Sequence, residues 1–310
     1  MLKIIFVGTP EFSVPCLQAL CRDPDFEVAA VITHPDMPVG RQQVWQEPPI
    51  KIWAKKLGIK NVWQPQKIIQ SLDQIRQVQP EIIVVVSYSQ IIPPEILRLP
   101  KFCCVNVHPS LLPKYRGATP IQTAILNNES KTGVTIMLMD ETFDTGPILS
   151  QIEVKLKPTE TAGSLFEKLA PLSAKLLTST LKKYLSGQLL PQPQANQLAS
   201  YAPLLRKGDG LINWEKSACE LERFIRAMGE WPGAWTWVKG KQLKVLSAEH
   251  FPLPINSYKP GKTFLYNNQL AAQCGADALI ITELQLEGKS AQTAKSWLNG
   301  HQDFIGTVLG

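Results

Sequence analysis

Ile82-Ile83-Val84-Val85-Val86-Ser87 places β-branched residues side by side with nothing polar between them. A strand with one face in water alternates apolar and polar positions, whereas one apolar at every position is buried on both faces. That burial is what helices on each side of a parallel sheet provide. Working outward, helical spacing predicts a helix over Ile68–Val78 before this strand and a short one after Pro93-Pro94, followed by a strand at Cys103–Val107. Upstream, Leu2–Val7 reads as a strand ending in Gly8-Thr9-Pro10, Phe12–Cys21 as a helix, and Val28–Thr33 and Val62 as further strands. Downstream come strands at Thr132–Met139 and Ile148–Val154 and a helix over Thr161–Leu185 with leucines 165, 169, 172, 176 and 177 on one stripe. The alternation predicts an α/β, Rossmann-like, mostly parallel sheet, with ligands beyond the carboxyl ends of its strands.

The pattern then changes. Leu189-Leu190-Pro191-Gln192-Pro193-Gln194-Ala195-Asn196-Gln197 carries no charge and reads as an exposed connection. After one helix at Glu215–Met228, short segments alternate with the turn signals Pro232-Gly233, Lys239-Gly240, Pro260-Gly261 and Asn267-Asn268. This predicts a small β-barrel or sandwich. The expected domains are residues 1–187, a linker at 188–205, and 206–310.

The chain has 310 residues, 44% hydrophobic and 19% charged, an ordinary globular composition. Its longest apolar run is far short of the ~20 residues of a membrane span, and the opening residues do not resemble a signal peptide, so a cytoplasmic protein is expected. The six cysteines include no C-x-x-C pair, and with only four histidines no metal-ligand spacing assembles locally. Net charge is +6, divided as +4 over residues 1–190 and +2 over 191–310. An anionic partner is permitted without being demanded.

Gly8-Thr9-Pro10-Glu11 occupies the place of a dinucleotide fingerprint, but G-x-G-x-x-G is absent, which disfavours nicotinamide and flavin cofactors. The chemistry is concentrated in Val105-Asn106-Val107-His108-Pro109-Ser110-Leu111-Leu112-Pro113-Lys114-Tyr115-Arg116-Gly117. Asn106 and His108 lie two apart on an extended run, so they share one side of the sheet at its carboxyl edge. An amide donor and an imidazole there suit oxyanion stabilisation and proton movement. Met139-Asp140-Glu141-Thr142-Phe143-Asp144-Thr145-Gly146-Pro147 follows another strand, and adjacent parallel strands are expected to bring Asp144 to His108. Ser110 follows His-Pro rather than sitting in G-x-S-x-G, so direct attack by a substrate group on a carbonyl fits better than a serine nucleophile.

These residues resemble the 10-formyltetrahydrofolate-dependent formyltransferase family: N-x-H, then S-L-L-P-x-x-R-G, then D-x-G, carried by Asn106, His108, Ser110 to Pro113, Arg116, Gly117, Asp144 and Gly146. The opening Ile4-Ile5-Phe6-Val7-Gly8-Thr9-Pro10-Glu11-Phe12, the loop His34 to Arg41, Gly133 to Asp140 and Ile212-Asn213-Trp214 are similar to the branch whose acceptor is initiator methionyl-tRNA. An amino-sugar nucleotide is the alternative acceptor. The resemblance implies a formyltransferase domain followed by an OB-like barrel, 10-formyltetrahydrofolate as co-substrate, no metal and no membrane partner, and a monomer. It makes Asn106, His108 and Asp144 catalytic. It implies a folate site from Ser87, Tyr88, Ile91, Ile92, Ser110, Leu111, Leu112, Pro113, Asp140 and Gly146, with Ile91 and Ile92 equally readable as core. Arg116 either holds a substrate anion or pairs with a loop acid. For RNA it implies Arg41, Trp45 and Lys51, and in the barrel Arg206, Lys207, Lys241 and Lys244, with Lys259 and Lys262 as further candidates. Where the family commonly continues with two lysines after its loop arginine, this chain has Gln42-Gln43-Val44.

Overall fold

The structure is a computed structural model describing residues 1–40, 43–229, 231–252 and 258–310. In chain order its elements are β1 (Leu2–Gly8), α1 (Val14–Arg22), β2 (Phe26–Ile32), β3 (Met37–Val39), β4 (Val44–Gln46), α2 (Pro49–Lys56), β5 (Val62–Trp63), α3 (Leu72–Val78), β6 (Ile82–Val86) and α4 (Pro94–Leu97). There follow β7 (Cys103–His108), β8 (Arg116–Gly117), α5 (Pro120–Leu126), β9 (Lys131–Leu138), β10 (Ile148–Lys155), α6 (Ala162–Leu185) and β11 (Tyr201–Ala202). The last are α7 (Ala218–Met228), β12 (Trp235–Val238), β13 (Lys241–Phe251), β14 (Thr263–Tyr266), β15 (Gln269–Gln273), β16 (Ala278–Leu286), β17 (Gln292–Thr293) and α8 (Ala294–Gly300). The chain divides into two compact units. One comprises Met1–Pro120, Lys131–Lys155 and Phe166–Pro203; the other comprises Ile121–Ser130, Leu156–Leu165 and Leu204–Gly310.

The first unit is built on a seven-stranded sheet in the order β10-β9-β7-β6-β1-β2-β5. As the unbroken Val/Ile run requires, every residue of β6 is buried, and β6 lies parallel between β1 and β7. Ile5, Val7, Ile32, Ile83, Val85, Ile92, Ile96 and Cys104 share one core cluster. Strand order reverses at β1, which leads on to β2 and β5 on one side while β6 and β7 lie on the other. The crevice beyond the carboxyl ends of β1 and β6 is where such folds bind ligands.

One expectation is corrected. β9 pairs antiparallel with β7, and β10 antiparallel with β9, so the strand preceding Asp144 does not run parallel to the Asn106–His108 strand. The connection 139–147 joins β9 to β10 and is shorter than the dozen or more residues a parallel crossover needs, which accounts for that pairing; residues 109–130, between β7 and β9, include α5 and are long enough for either direction. The segment read as an exposed connection is also more than that: Tyr201–Ala202 pairs with Arg116–Gly117, and Gln192 bridges Ile148.

The second unit is an antiparallel sheet in the order β12-β13-β16-β15-β14, with β17 on β16, consistent with a small barrel domain. Register shifts within β13 between Val245 and Ala248 bend the strand as closure of a sheet requires. Its core gathers Leu221, Ile225, Leu243, Val245, Leu279, Ile281, Leu284 and Trp297. Helix α7 starts at Ala218 rather than Glu215 because Ser217 caps it: its hydroxyl accepts from the Glu220 amide while the Glu220 carboxylate accepts from the Ser217 amide. Among the described residues all six cysteines are free thiols, and burial pushes those of Cys16 and Cys103 up to about 12. No described helix is long and apolar enough to cross a membrane.

Candidate active site

Asn106 and His108 stand on the same side of β7, as their spacing predicts, and Asp144 meets both. Asn106 Nδ2 donates to Asp144 Oδ1 at 3.0 Å, and His108 Nδ1 lies 3.5 Å from Asp144 Oδ2. The Gly117 amide donates to that same Oδ2 at 2.9 Å. An amide nitrogen carries two hydrogens, so Asn106 retains a second donor after serving Asp144.

His108 sits deeper than a residue facing substrate would. It is 3% exposed, and its Nε2 lies 2.8 Å from the Tyr115 carbonyl oxygen. A carbonyl only accepts, so Nε2 carries a hydrogen and Nδ1 is the nitrogen turned to Asp144. The side chains nearer the surface are Asn106 and Asp144, the latter 12% exposed.

Asp144 reaches this place through a loop shaped by its own side chains. The Asp140 carboxylate accepts from the Thr142 amide at 3.0 Å and from both Thr142 and Thr145 hydroxyls, which folds 140–145 into a tight arch. Asp144 takes a left-handed backbone, φ +53°, a conformation non-glycine residues adopt infrequently and mostly at sites with a specific demand. Two residues on, a Cβ at Gly146 would lie 1.9 Å from the Leu138 carbonyl oxygen, so only glycine lets the arch close on β9.

The Ser110–Pro113 stretch holds itself together rather than exposing polar groups. The Ser110 hydroxyl donates to the Lys114 carbonyl at 2.7 Å and is fully buried; Leu112 is buried with its amide on Thr135 Oγ1 and its carbonyl accepting from Gln151. Leu111 and Pro113 are half-buried. Ile91 and Ile92 divide the two readings between them: Ile92 packs in the core, while Ile91 is 59% exposed. Ser87 has φ +49° at the end of β6, and beside it Tyr88 Oη is buried with no hydrogen-bond partner among the described residues. Burial raises the Tyr88 phenol to about 12. Next to it, His34 packs 4.9 Å from the Tyr88 ring and its Nε2 lies 3.1 Å from Ser89 Oγ; burial lowers its pKa.

Among the described residues Arg116 pairs with no acid. Its Nε and Nη2 donate to Gln194 Oε1 at 3.0 and 2.8 Å, and Nη2 also to Asn196 Oδ1 at 2.8 Å. Gln194 was not singled out in the sequence, where it is one uncharged residue in a Pro/Gln run.

The proposed RNA residues separate into distinct groups. Arg41 lies outside the described residues. Trp45 is 71% exposed, opposite Pro38 on the β3–β4 hairpin. Lys51 is only 16% exposed and sits between Asp36 at 2.7 Å and Glu47 at 3.1 Å, and these acids raise its pKa. Its charge is spent inside the protein rather than offered to phosphate. In the second unit Arg206, Lys207, Lys241 and Lys259 are exposed, while Lys244 and Lys262 are half-buried. The Lys207 carbonyl accepts from Trp235 Nε1, and Trp235 faces Lys244 across the ladder. Lys241 lies three positions from Lys244, on the other face of β13.

Two family models match the chain: Formyl transferase over residues 2–181 and Formyl transferase, C-terminal domain, over residues 204–302. A methionyl-tRNA formyltransferase from Caldanaerobacter subterraneus subsp. tengcongensis is 41% identical over 99% of this chain and 100% of its own length. Among solved structures, the fold is similar to that of an N-formyltransferase from Helicobacter canadensis in complex with folinic acid and dTDP-3-aminofucose (TM-score 0.65, 22% identity, 91% of this chain and 99% of that one). It is also similar to that of HypX from Aquifex aeolicus in complex with tetrahydrofolic acid (TM-score 0.64, 16% identity, 97% of this chain and 48% of that one). With both domain models matched in order and a relative of that name aligned end to end, the chain belongs to the methionyl-tRNA formyltransferase family.

Proposed function

We infer that the chain transfers a formyl group from 10-formyltetrahydrofolate to the α-amino group of methionine esterified to initiator tRNA. The observation that carries the chemistry is the Asn106–Asp144–His108 network at the carboxyl edge of β7, with Gly117 holding the carboxylate.

An α-amine has a pKa of ~7.7–8.0, and esterification lowers it further, so much of the nucleophile is neutral at pH 7. Little base strength is required. The amine nitrogen attacks the formyl carbon, and the charge that develops on the formyl oxygen takes the free N–H of Asn106. Asp144 Oδ2 accepts the proton released by nitrogen and shares it with His108 Nδ1. The buried imidazole, its Nε2 hydrogen given to Tyr115, acts as a fixed proton partner for Asp144. The bond from carbon to the folate nitrogen then breaks and the same proton returns to that nitrogen, so charge and hydrogen balance.

The donor fits beside this edge. Tyr88 presents a buried hydroxyl lacking a partner and Ile91 an open apolar side chain, a polar and an apolar element of the kind small-molecule sites combine. Ser87 to Ile92 and the Asp140–Gly146 arch would hold it. Ser110 and Leu112 act through loop shape instead. Trp45 and the exposed barrel cations Arg206, Lys207 and Lys241 form the RNA-facing set, and the enzyme works as a cytoplasmic monomer.

The test is formyl transfer from 10-formyltetrahydrofolate with initiator methionyl-tRNA and an amino-sugar nucleotide offered side by side. Turnover on the tRNA alone is expected; turnover on the sugar alone overturns the assignment.

A further inference from the structure

Gln194 uses its entire hydrogen-bonding capacity at the edge of the active site. Its two Nε2 hydrogens go to the carbonyl oxygens of Asp144 and Gly146, each at 2.8 Å, and its Oε1 accepts from Arg116 Nε and Nη2. An amide has two donors and two acceptor lone pairs, and here all four are matched. Turning the amide over would set its oxygen against two carbonyls and its nitrogen against a guanidinium, so its orientation is fixed by chemistry.

The two carbonyls it holds flank Thr145 and belong to the arch that presents Asp144 with φ +53°. A left-handed non-glycine residue persists only where its surroundings hold it there. Asp144 is thus gripped at both ends by one segment of chain. Gln194 holds its main chain, while Tyr201–Ala202, a few residues further on, pairs with Arg116–Gly117, whose Gly117 amide holds Oδ2 of its carboxylate. The Ala202 carbonyl accepts from the Ala118 amide at 2.8 Å, and a Cβ on Gly117 would come within 2.6 Å of that carbonyl oxygen, so the ribbon has no slack there.

We propose that Gln194 is a positioning residue for formyl transfer, fixing the Asp144 carboxylate through the Asp144 and Gly146 carbonyls while locking Arg116 into the same frame. The proposal rests on Asp144 serving the reaction. Because reacting groups tolerate little displacement, loss of the grip is expected to lower kcat by roughly 10- to 100-fold. KM for either substrate should stay within a factor of about two, because Gln194 touches neither.

The experiment measures kcat, both KM values and Tm for Gln194→Met and Gln194→Glu, with Asp144→Asn in the same assay and the His108 ring nitrogens followed by NMR. Gln194→Met keeps the shape and loses every bond; Gln194→Glu keeps the acceptor for Arg116 but sets a carboxylate against two carbonyls. Both are expected to lose kcat at nearly unchanged KM and to shift the His108 Nδ1 resonance, which a merely structural role would leave in place. If kcat per folded molecule is unchanged, or Nδ1 does not move while Asp144→Asn is inactive, the positioning role is overturned. If Asp144→Asn itself keeps full activity, the underlying reading of Asp144 fails instead.

Discussion

Asn106 and Asp144, 38 residues apart, join through an amide-to-carboxylate hydrogen bond of 3.0 Å, and among the described residues the other amide hydrogen of Asn106 has no partner. That free hydrogen is the donor assigned to the developing oxyanion. Asn106→Ala is therefore expected to lower the single-turnover formylation rate by ~10²–10³-fold while methionyl-tRNA binding is retained. Rapid-quench measurement against filter binding separates the two; a loss confined to binding contradicts the role.

Gly117→Ala carries two penalties: φ +111° and a Cβ 2.6 Å from the Ala202 carbonyl oxygen. A loss of about 1–3 kcal/mol in stability is expected from the backbone alone. Because the Gly117 amide also holds Asp144, kcat should fall in the fraction that remains folded. Denaturation and kinetics on one sample check both.

Tyr88→Phe removes a buried hydroxyl that has no partner. A buried unsatisfied polar group costs ~1–3 kcal/mol, so the variant should be more stable than the parent. If the hydroxyl serves the folate donor, KM for that donor rises in the same variant. Thermal denaturation and donor titration read the opposite signs.

His34 has its pKa lowered by burial, so between that lowered value and ~6.5 the unfolded chain binds more protons than the folded one. Its contribution to stability is complete above ~6.5 and is lost as pH falls below it. Because the ring is partly exposed, the effect is modest. Urea unfolding between pH 5 and 8 should show a steeper loss toward acid for the parent than for His34→Gln.

Salt dependence separates the cations. Lys51, already paired with Asp36 and Glu47, should leave the slope of log affinity for tRNA against log salt unchanged when replaced by Met. An exposed barrel cation that meets phosphate, such as Lys241, should reduce that slope by slightly under one when replaced.

The sheet and the pair on β7 were legible because both rest on local periodicity: unbroken β-branched runs for burial on two faces, and a two-residue spacing for Asn106 and His108. The short connection 139–147 signals the antiparallel pairing of β9 with β10, whereas residues 109–130, between β7 and β9, are long enough for a crossover and leave the direction of β9 against β7 open. What no local pattern shows is depth. His108 was expected beside the oxyanion, yet the carbonyl of Tyr115, seven residues on, draws the ring inward. Lys51 looks like a free cation in sequence because Asp36, 15 positions away, comes to it only through the fold. Gln194 lay in a run whose lack of charge suggested solvent, and its four bonds all reach residues 48 to 78 positions away.

The central claim is that this chain formylates methionyl-tRNA through the Asn106–Asp144 edge, and the most direct measurement is the single-turnover rate with formyl-labelled donor and initiator methionyl-tRNA for the parent and Asp144→Asn. The account expects rapid transfer by the parent and a loss of at least ~10²-fold in the variant, with tRNA affinity retained. Transfer by Asp144→Asn at the parent rate, or none by the parent, would contradict it.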